Sequence, residues 1–269
     1  MINFLNNQQI KNIFDIAISA GEQVIDAFYA NNYSINIKDD NSQVTSIDLQ
    51  ISEFIKKNLQ KIFPRIPVIC EEGDKNTFLG DYFFLVDPID GTSSFIKGED
   101  EFCINIALIY KNKAIFGLIY APVFEGGKMI FSDEKNQVYH YHCESNREQV
   151  IIRPKLDCGF LNVITSKRIS DEIISKFMVE NFLSHGDFHV SKFSSAVKFI
   201  VMAEGRGDIY LHLRRSMEWD IASGSVLMEM LGGKLNIIEN NQQNLLISNQ
   251  DLTYRKADFV NPFFLVSFL

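Results

Sequence analysis

The chain has 269 residues, 46% of them hydrophobic, with 26 basic against 34 acidic side chains and a formal net charge of -8. At that length one large domain or two joined halves can bury a core without a metal or disulfide staple. The acidic balance argues against an electrostatic grip on nucleic acid or anionic lipid, and leaves open a small phosphorylated molecule whose charge a bound cation meets.

Ile10, Ile13, Phe14, Ala17, Gly21, Val24, Ile25 and Phe28 recur at the helical period and predict a first helix over about 8–30. Ile47, Ile51, Phe54, Ile55, Leu59 and Ile62 predict a second, ended by Pro64, with a polar, turn-like segment between the two. Val68-Ile69-Cys70 and Phe83-Phe84-Leu85-Val86 are short apolar runs that stop at acidic residues and read as buried strands. Phe102–Ile109 and Ala114–Tyr120 read as a hairpin, with Met129–Phe131 and Val138–Tyr141 as further strands. His140 and His142 alternate on the last of these and read as surface residues.

The charged stretch Asn146–Gly159, with Pro154, marks the expected seam between a 1–150 half of α+β type and a 151–269 half of α/β type. Beyond it come strand Leu161–Thr165, helix Ser170–Phe182, strand Phe188–Phe193, helix Ser195–Glu204, strand Asp208–Leu213, helix Ile221–Leu231 and strand Lys234–Ile238. The apolar stretch Phe263–Leu269 suits a buried strand closing a sheet. Four cysteines without a C-x-x-C pair argue against a zinc site or disulfide framework. Without a signal-like N-terminus or a run long enough to span a bilayer, the expected location is cytoplasmic.

The chemistry concentrates in Asp87-Pro88-Ile89-Asp90-Gly91-Thr92-Ser93-Ser94. Pro88 holds Asp87 extended and Gly91 permits a sharp turn, so two carboxylates and the Ile89 carbonyl can converge on one point. Hard oxygen donors of that kind suit magnesium. Thr92-Ser93-Ser94 resembles a helix start, whose free amides would receive a phosphate beside the ion. Glu71 ends another strand and can bring a further carboxylate to the same edge. Each segment also has a local role: a turn at 87–92, a capping box for Thr45 and Asp48, an N-cap for Asp220 ahead of an apolar helix.

Taken together, Val44-Thr45-Ser46-Ile47-Asp48, Glu71-Glu72, Asp87-Pro88-Ile89-Asp90-Gly91-Thr92 and Trp219-Asp220-Ile221-Ala222-Ser223-Gly224 resemble, in content and order, the inositol monophosphatase superfamily of metal-dependent, lithium-sensitive phosphatases. Asp90-Gly91-Thr92-Ser93-Ser94-Phe95-Ile96-Lys97-Gly98, Glu101-Phe102, Asn105-Ile106-Ala107-Leu108 and Tyr120-Ala121-Pro122-Val123 look closest to its CysQ-type 3′(2′),5′-bisphosphate nucleotidases. The resemblance implies a layered αβαβα sandwich of the inositol monophosphatase and fructose-1,6-bisphosphatase type. It implies two or three Mg2+ ions on Glu71, Asp87, the Ile89 carbonyl, Asp90 and Asp220. Asp48, Thr92 and Glu71 would be catalytic, with Gly91, Thr92 and Ser93 holding the phosphate.

Ser195 and Lys198 resemble the Ser and Lys that contact the second phosphate and sugar in the nucleotidases. Two departures concern specificity. Tyr210-Leu211-His212 stands where those enzymes usually carry Tyr-Pro-Arg, with Arg214 and Arg215 slightly later, and Ser93-Ser94 stands where Lys-Glu is frequent. The implied activity is a magnesium-dependent phosphatase converting adenosine 3′,5′-bisphosphate to AMP, as a monomer or homodimer. The alternatives are an inositol monophosphatase and a catalytically idle metal- or phosphate-binding homologue.

Overall fold

The computed structural model describes residues 4–38, 42–73, 80–153, 159–182, 187–240 and 245–269. The helical stripes of the N-terminal segment form α1 (Asn7–Ala30) and α2 (Ser46–Ile62), whose buried faces carry Ile13, Ala17, Val24, Ile51, Ile55 and Leu59. Between them Ile35–Ile37 (β1) and Gln43–Thr45 (β2) pair as a hairpin. The two helices cover one face of a seven-stranded sheet built from β3 (Val68–Cys70), β4 (Tyr82–Asp90), β5 (Cys103–Tyr110), β6 (Lys113–Ala121), β7 (Lys128–Ser132), β8 (Val138–His142) and β9 (Arg147–Val150). Strands β3 and β4 are parallel, and each later neighbour is antiparallel.

The apolar runs in this sheet are continuous because both faces are covered. On β4, Phe84 and Val86 meet α1 and α2, while Phe83 and Leu85 join Trp219 and Ala222 on the opposite face. Trp219 and Ala222 belong to α6 (Glu218–Met230), which is apolar nearly all round. Gly117 lets α6 approach β6, since a Cβ there would run into the Ser223 carbonyl and the Val226 side chain.

A second, six-stranded sheet has the order β11-β10-β12-β15-β13-β14, from β10 (Phe160–Ser166), β11 (Asp187–Phe193), β12 (Ile209–His212), β13 (Lys234–Asn240), β14 (Leu245–Ile247) and β15 (Phe263–Ser267). Helix α4 (Asp171–Phe182) covers one face through Ile174, Phe177 and Met178. Helix α5 (Val197–Ala203) and α6 fill the space between the sheets. The layers are therefore helix, sheet, helix, sheet, helix, the expected αβαβα order.

Several expectations need correction. Strand β4 runs on through the acidic residues to Asp90, with a bulge between Asp87 and Asp90 where Pro88 offers no N–H to the ladder. Arg147–Val150, read as seam, forms an edge strand; Pro154 lies outside the described residues. Helix α5 starts at Val197 rather than Ser195, which has φ 49°, and α6 starts at Glu218, so Asp220 sits inside the first turn rather than before it. Phe263–Ser267 lies inside its sheet, between β12 and β13. His140 is 4% exposed, beside Glu204 at the end of α5 and with its ring tilted against that of His142, centroids 3.9 Å apart, because the second half covers that face of β8.

Replacing Gly117 by Ala forces α6 off β6 and should lower stability by about 1–3 kcal/mol, the usual cost of overpacking a tight contact. Gly80→Ala, where an added methyl group meets nothing within 4 Å, is the control in denaturant titrations. Equal midpoints for the two variants would remove the close-approach explanation.

Candidate active site

Parallel pairing of β3 and β4 aligns Cys70 with Val86, and the Glu71 N–H donates to the Val86 carbonyl at 3.0 Å. The next residue of each strand is acidic, so the pairing that builds the sheet also sets Glu71 beside Asp87. Asp220 arrives from α6. One carboxylate oxygen from each of Glu71, Asp87 and Asp220 lies within 4.8 Å of the others. Asp87 is 1% exposed and accepts from the Ile89 N–H at 3.1 Å.

Asp90, predicted to share this point, is turned toward the second half: its Oδ2 accepts from the Ala196 N–H at 2.6 Å and from the Asn105 amide at 3.4 Å. Gly91 makes this junction possible. It has φ 95°, in the left-handed region, and a Cβ would lie 2.9 Å from the Glu101 carbonyl and 3.1 Å from Ser195. Gly91 caps the short helix α3 (Thr92–Ile96), whose leading amides at Thr92 and Ser93 have no intrahelical acceptor.

Asp48 and Thr92 meet as predicted. The Thr92 hydroxyl lies 3.0 Å from Asp48 Oδ1 and 3.0 Å from the Ile89 carbonyl, and having one proton it donates to the stronger acceptor, the carboxylate. The other Asp48 oxygen accepts from the Thr45 N–H at 2.8 Å and from the Thr45 hydroxyl. Asp220 likewise accepts from the Met217 N–H at 2.8 Å. Both aspartates occupy the third position of their helices and satisfy the chain ahead of the first turn, so the capping role and the site role belong to the same side chains.

Ser195 and Lys198 also line the site. Ser195 Oγ lies 3.3 Å from Cys103 Sγ. The Lys198 ammonium is buried near Asp90, donates to the Ser195 carbonyl and lies 3.5 Å from the Phe193 carbonyl. Sequence reasoning missed Lys38, which sits just beyond β1 in the segment read as a turn. Its ammonium lies 2.8 Å from Glu71 and also pairs with Glu72. The unnoticed signal was a basic residue closing the short apolar alternation Ile35-Asn36-Ile37.

The electrostatics follow from crowding in a dry place. Burial, then Glu71, Asp90 and Asp220, pushes the Asp87 carboxyl well up. Burial, then Asp90 and Glu71, does the same to Asp220. Burial raises Asp90 to about 6, although Lys198 and the Ala196 N–H pull the other way. Burial lowers Lys38, but Glu71 and Glu72 outweigh it and leave the ammonium above its ordinary range. A set of hard oxygen donors that repel one another fits a divalent cation, which would keep them ionised. The cavity around them measures about 560 Å³ and reaches from Glu71 to Arg214.

The inositol monophosphatase family model matches residues 6–260. The chain belongs to the inositol monophosphatase family. Membership makes it a phosphomonoesterase of a metal-dependent family. The 3′(2′),5′-bisphosphate nucleotidase CysQ of Aggregatibacter actinomycetemcomitans is 28% identical over 97% of this chain and 93% of its own length. That of Escherichia coli O157:H7 is 29% identical over 95% and 98%. The crystal structure of CysQ from Bacteroides thetaiotaomicron, a bacterial member of the family, superposes with a TM-score of 0.73 at 25% identity over 96% of both chains. An IMPase/NADP phosphatase complexed with Mg2+ and phosphate shares the fold at a TM-score of 0.71 and 17% identity, over 97% and 90%.

Carboxyls raised in the folded state add stability that is complete below their ordinary value near 3.8 and lost as pH rises through the raised values, about 6 for Asp90. Chelated protein should therefore melt at falling temperature as pH rises from about 4 through about 6, with Asp87 and Asp220 extending the fall upward, and magnesium should reverse most of it. Asp220→Asn removes one of the opposed charges. It should flatten the chelated profile and shrink the magnesium shift; profiles superposable on those of the unsubstituted protein would contradict the crowding account.

Proposed function

We propose that this enzyme hydrolyses the 3′-phosphate of adenosine 3′,5′-bisphosphate to give AMP and phosphate, with magnesium held by Glu71, Asp87, the Ile89 carbonyl, Asp90 and Asp220. The observation that carries the phosphatase chemistry is the convergence of Glu71, Asp87 and Asp220 next to the Thr92–Asp48 pair. The nucleotide assignment draws on the bisphosphate nucleotidase relatives, which match along nearly the whole chain. When bound, magnesium supplies Lewis-acid polarisation of the phosphoryl oxygens and a lowered pKa for water.

The chain's own residues orient the reaction. Thr92 donates its hydroxyl proton to Asp48 and so turns a lone pair outward to accept from the attacking water. As that water loses its proton to Thr92, the threonine proton passes to Asp48. Asp48 is suited to the task because burial raises its carboxyl above the usual range, against the opposing bonds from Thr45 and Thr92. Thr45 fixes the far oxygen, so the near one keeps its aim. The amides of Gly91, Thr92 and Ser93 hold the non-transferred phosphate oxygens, in the manner of a preorganised oxyanion site. Asp90 uses the oxygen not engaged by Ala196. Ser195 and Lys198 border the substrate on the far side of Asp90, where the Lys198 charge offsets that carboxylate.

Purified protein supplied with magnesium should release phosphate from adenosine 3′,5′-bisphosphate faster than from inositol 1-phosphate, stop when the metal is chelated, and be inhibited by lithium. Absence of turnover on both substrates would dispose of the enzyme assignment, and a preference for inositol phosphate would dispose of the nucleotide one. Thr92→Ala should lower kcat by about 10²–10⁴-fold, the scale of lost acid–base assistance, while magnesium still raises the melting temperature. Asp90→Asn should chiefly weaken the magnesium dependence. Near-normal kcat in Thr92→Ala would remove Thr92 from the proton path.

A further inference from the structure

The cavity wall carries two chemically opposite sets of groups. Glu71, Asp87 and Asp220 converge on one point, while Arg168, in the loop after β10, and Arg214, just past β12, bring positive charge to the same cavity. Burial, and after it the facing Arg168 charge, push the Arg214 guanidinium below its ordinary value. Among the described residues neither guanidinium has a carboxylate partner. The adjacent Lys167 differs, with its ammonium 3.1 Å from Glu101 and 3.3 Å from Glu99. On a chain of net charge -8, two facing arginines without a counterion mark a place prepared for an external anion.

Lys198 and His212, although close by, do not fill this role. Lys198 spends its ammonium on backbone carbonyls beside Asp90. His212 is 9% exposed, with Nδ1 2.9 Å from the Tyr210 hydroxyl, and burial followed by the Lys198 charge pushes it down to about 3, so the ring is neutral near pH 7. The remaining positive charge on the cavity wall comes from the arginines, Arg215 next to Arg214 as well as the facing pair, whose planar forks match phosphate oxygens in pairs.

We propose that Arg168 and Arg214 form a second anion subsite that receives the phosphate the enzyme does not hydrolyse, and that they set its preference for bisphosphate over monophosphate substrates. This rests on the bisphosphate reading above and adds the residues that enforce it. The test is steady-state kinetics of Arg168→Ala, Arg214→Ala, Arg214→Gln and Arg214→Lys on adenosine 3′,5′-bisphosphate and on 3′-AMP, with exposed Arg147→Ala as a control for overall charge.

Each arginine variant should raise KM for the bisphosphate by about 10- to 100-fold and leave kcat and the 3′-AMP constants within about twofold, with Arg214→Lys recovering part of the loss. Equal losses on both substrates, or no loss on the bisphosphate, or the same loss in Arg147→Ala, would overturn the subsite. If the unsubstituted enzyme turns over neither adenosine substrate, the nucleotide reading fails on its own. The subsite is then decided by the same comparison between inositol 1,4-bisphosphate and inositol 1-phosphate.

Discussion

Like charges held together away from water are the constraint around which this molecule is organised. Asp87 is buried and Asp220 half-buried, Asp87 in the field of Glu71, Asp90 and Asp220, and Asp220 in that of Asp90 and Glu71. Such an arrangement survives only if the surrounding fold over-determines it. Here the fold does so with few parts. The β3–β4 pairing fixes two carboxylates, the α6 packing against β4, β5 and β6 delivers a third, and Lys38 lends a single positive charge that can offset only part of the total. Gly117 belongs to the same set of requirements, because the approach it permits is what brings the start of α6 to the end of β4.

Asp48 and Asp220 show how the site keeps its geometry. Each carboxylate receives the N–H of the residue that precedes its helix, which leaves the other oxygen aimed by the helix itself rather than by a flexible loop. Groups positioned in this way need little reorganisation during reaction. A local capping pattern and a catalytic one are then not competing explanations of the same letters.

What was legible in the sequence was whatever repeats or is locally dense. The helical stripes of α1 and α2 and the unbroken apolar runs of β4 and β5 gave the layers, and the motifs around Asp48, Glu71, Asp87 and Asp220 located the carboxylates. What escaped depends on contacts between distant segments. The polar edge strand β9 has no apolar face to announce it, and its exposed residues follow the charged pattern of a linker. The burial of His140 comes from α5, some sixty residues further on, and the turn of Asp90 toward Ala196 comes from a loop whose approach only Gly91 permits. Lys38 was hidden because three-residue strands are too short to display a period.

The place of β15 has an effect on how the molecule tolerates alteration. Strands β12 and β13 do not pair with each other; Phe263–Ser267 bridges them, hydrogen-bonded on both edges. Terminal segments ordinarily absorb trimming or fusion with little harm. Here a nick that released 263–269 would split one sheet into two, strip the cover from Tyr210 and Leu235, and loosen the support behind α6, so damage at a seemingly peripheral stretch would be felt at the catalytic carboxylates.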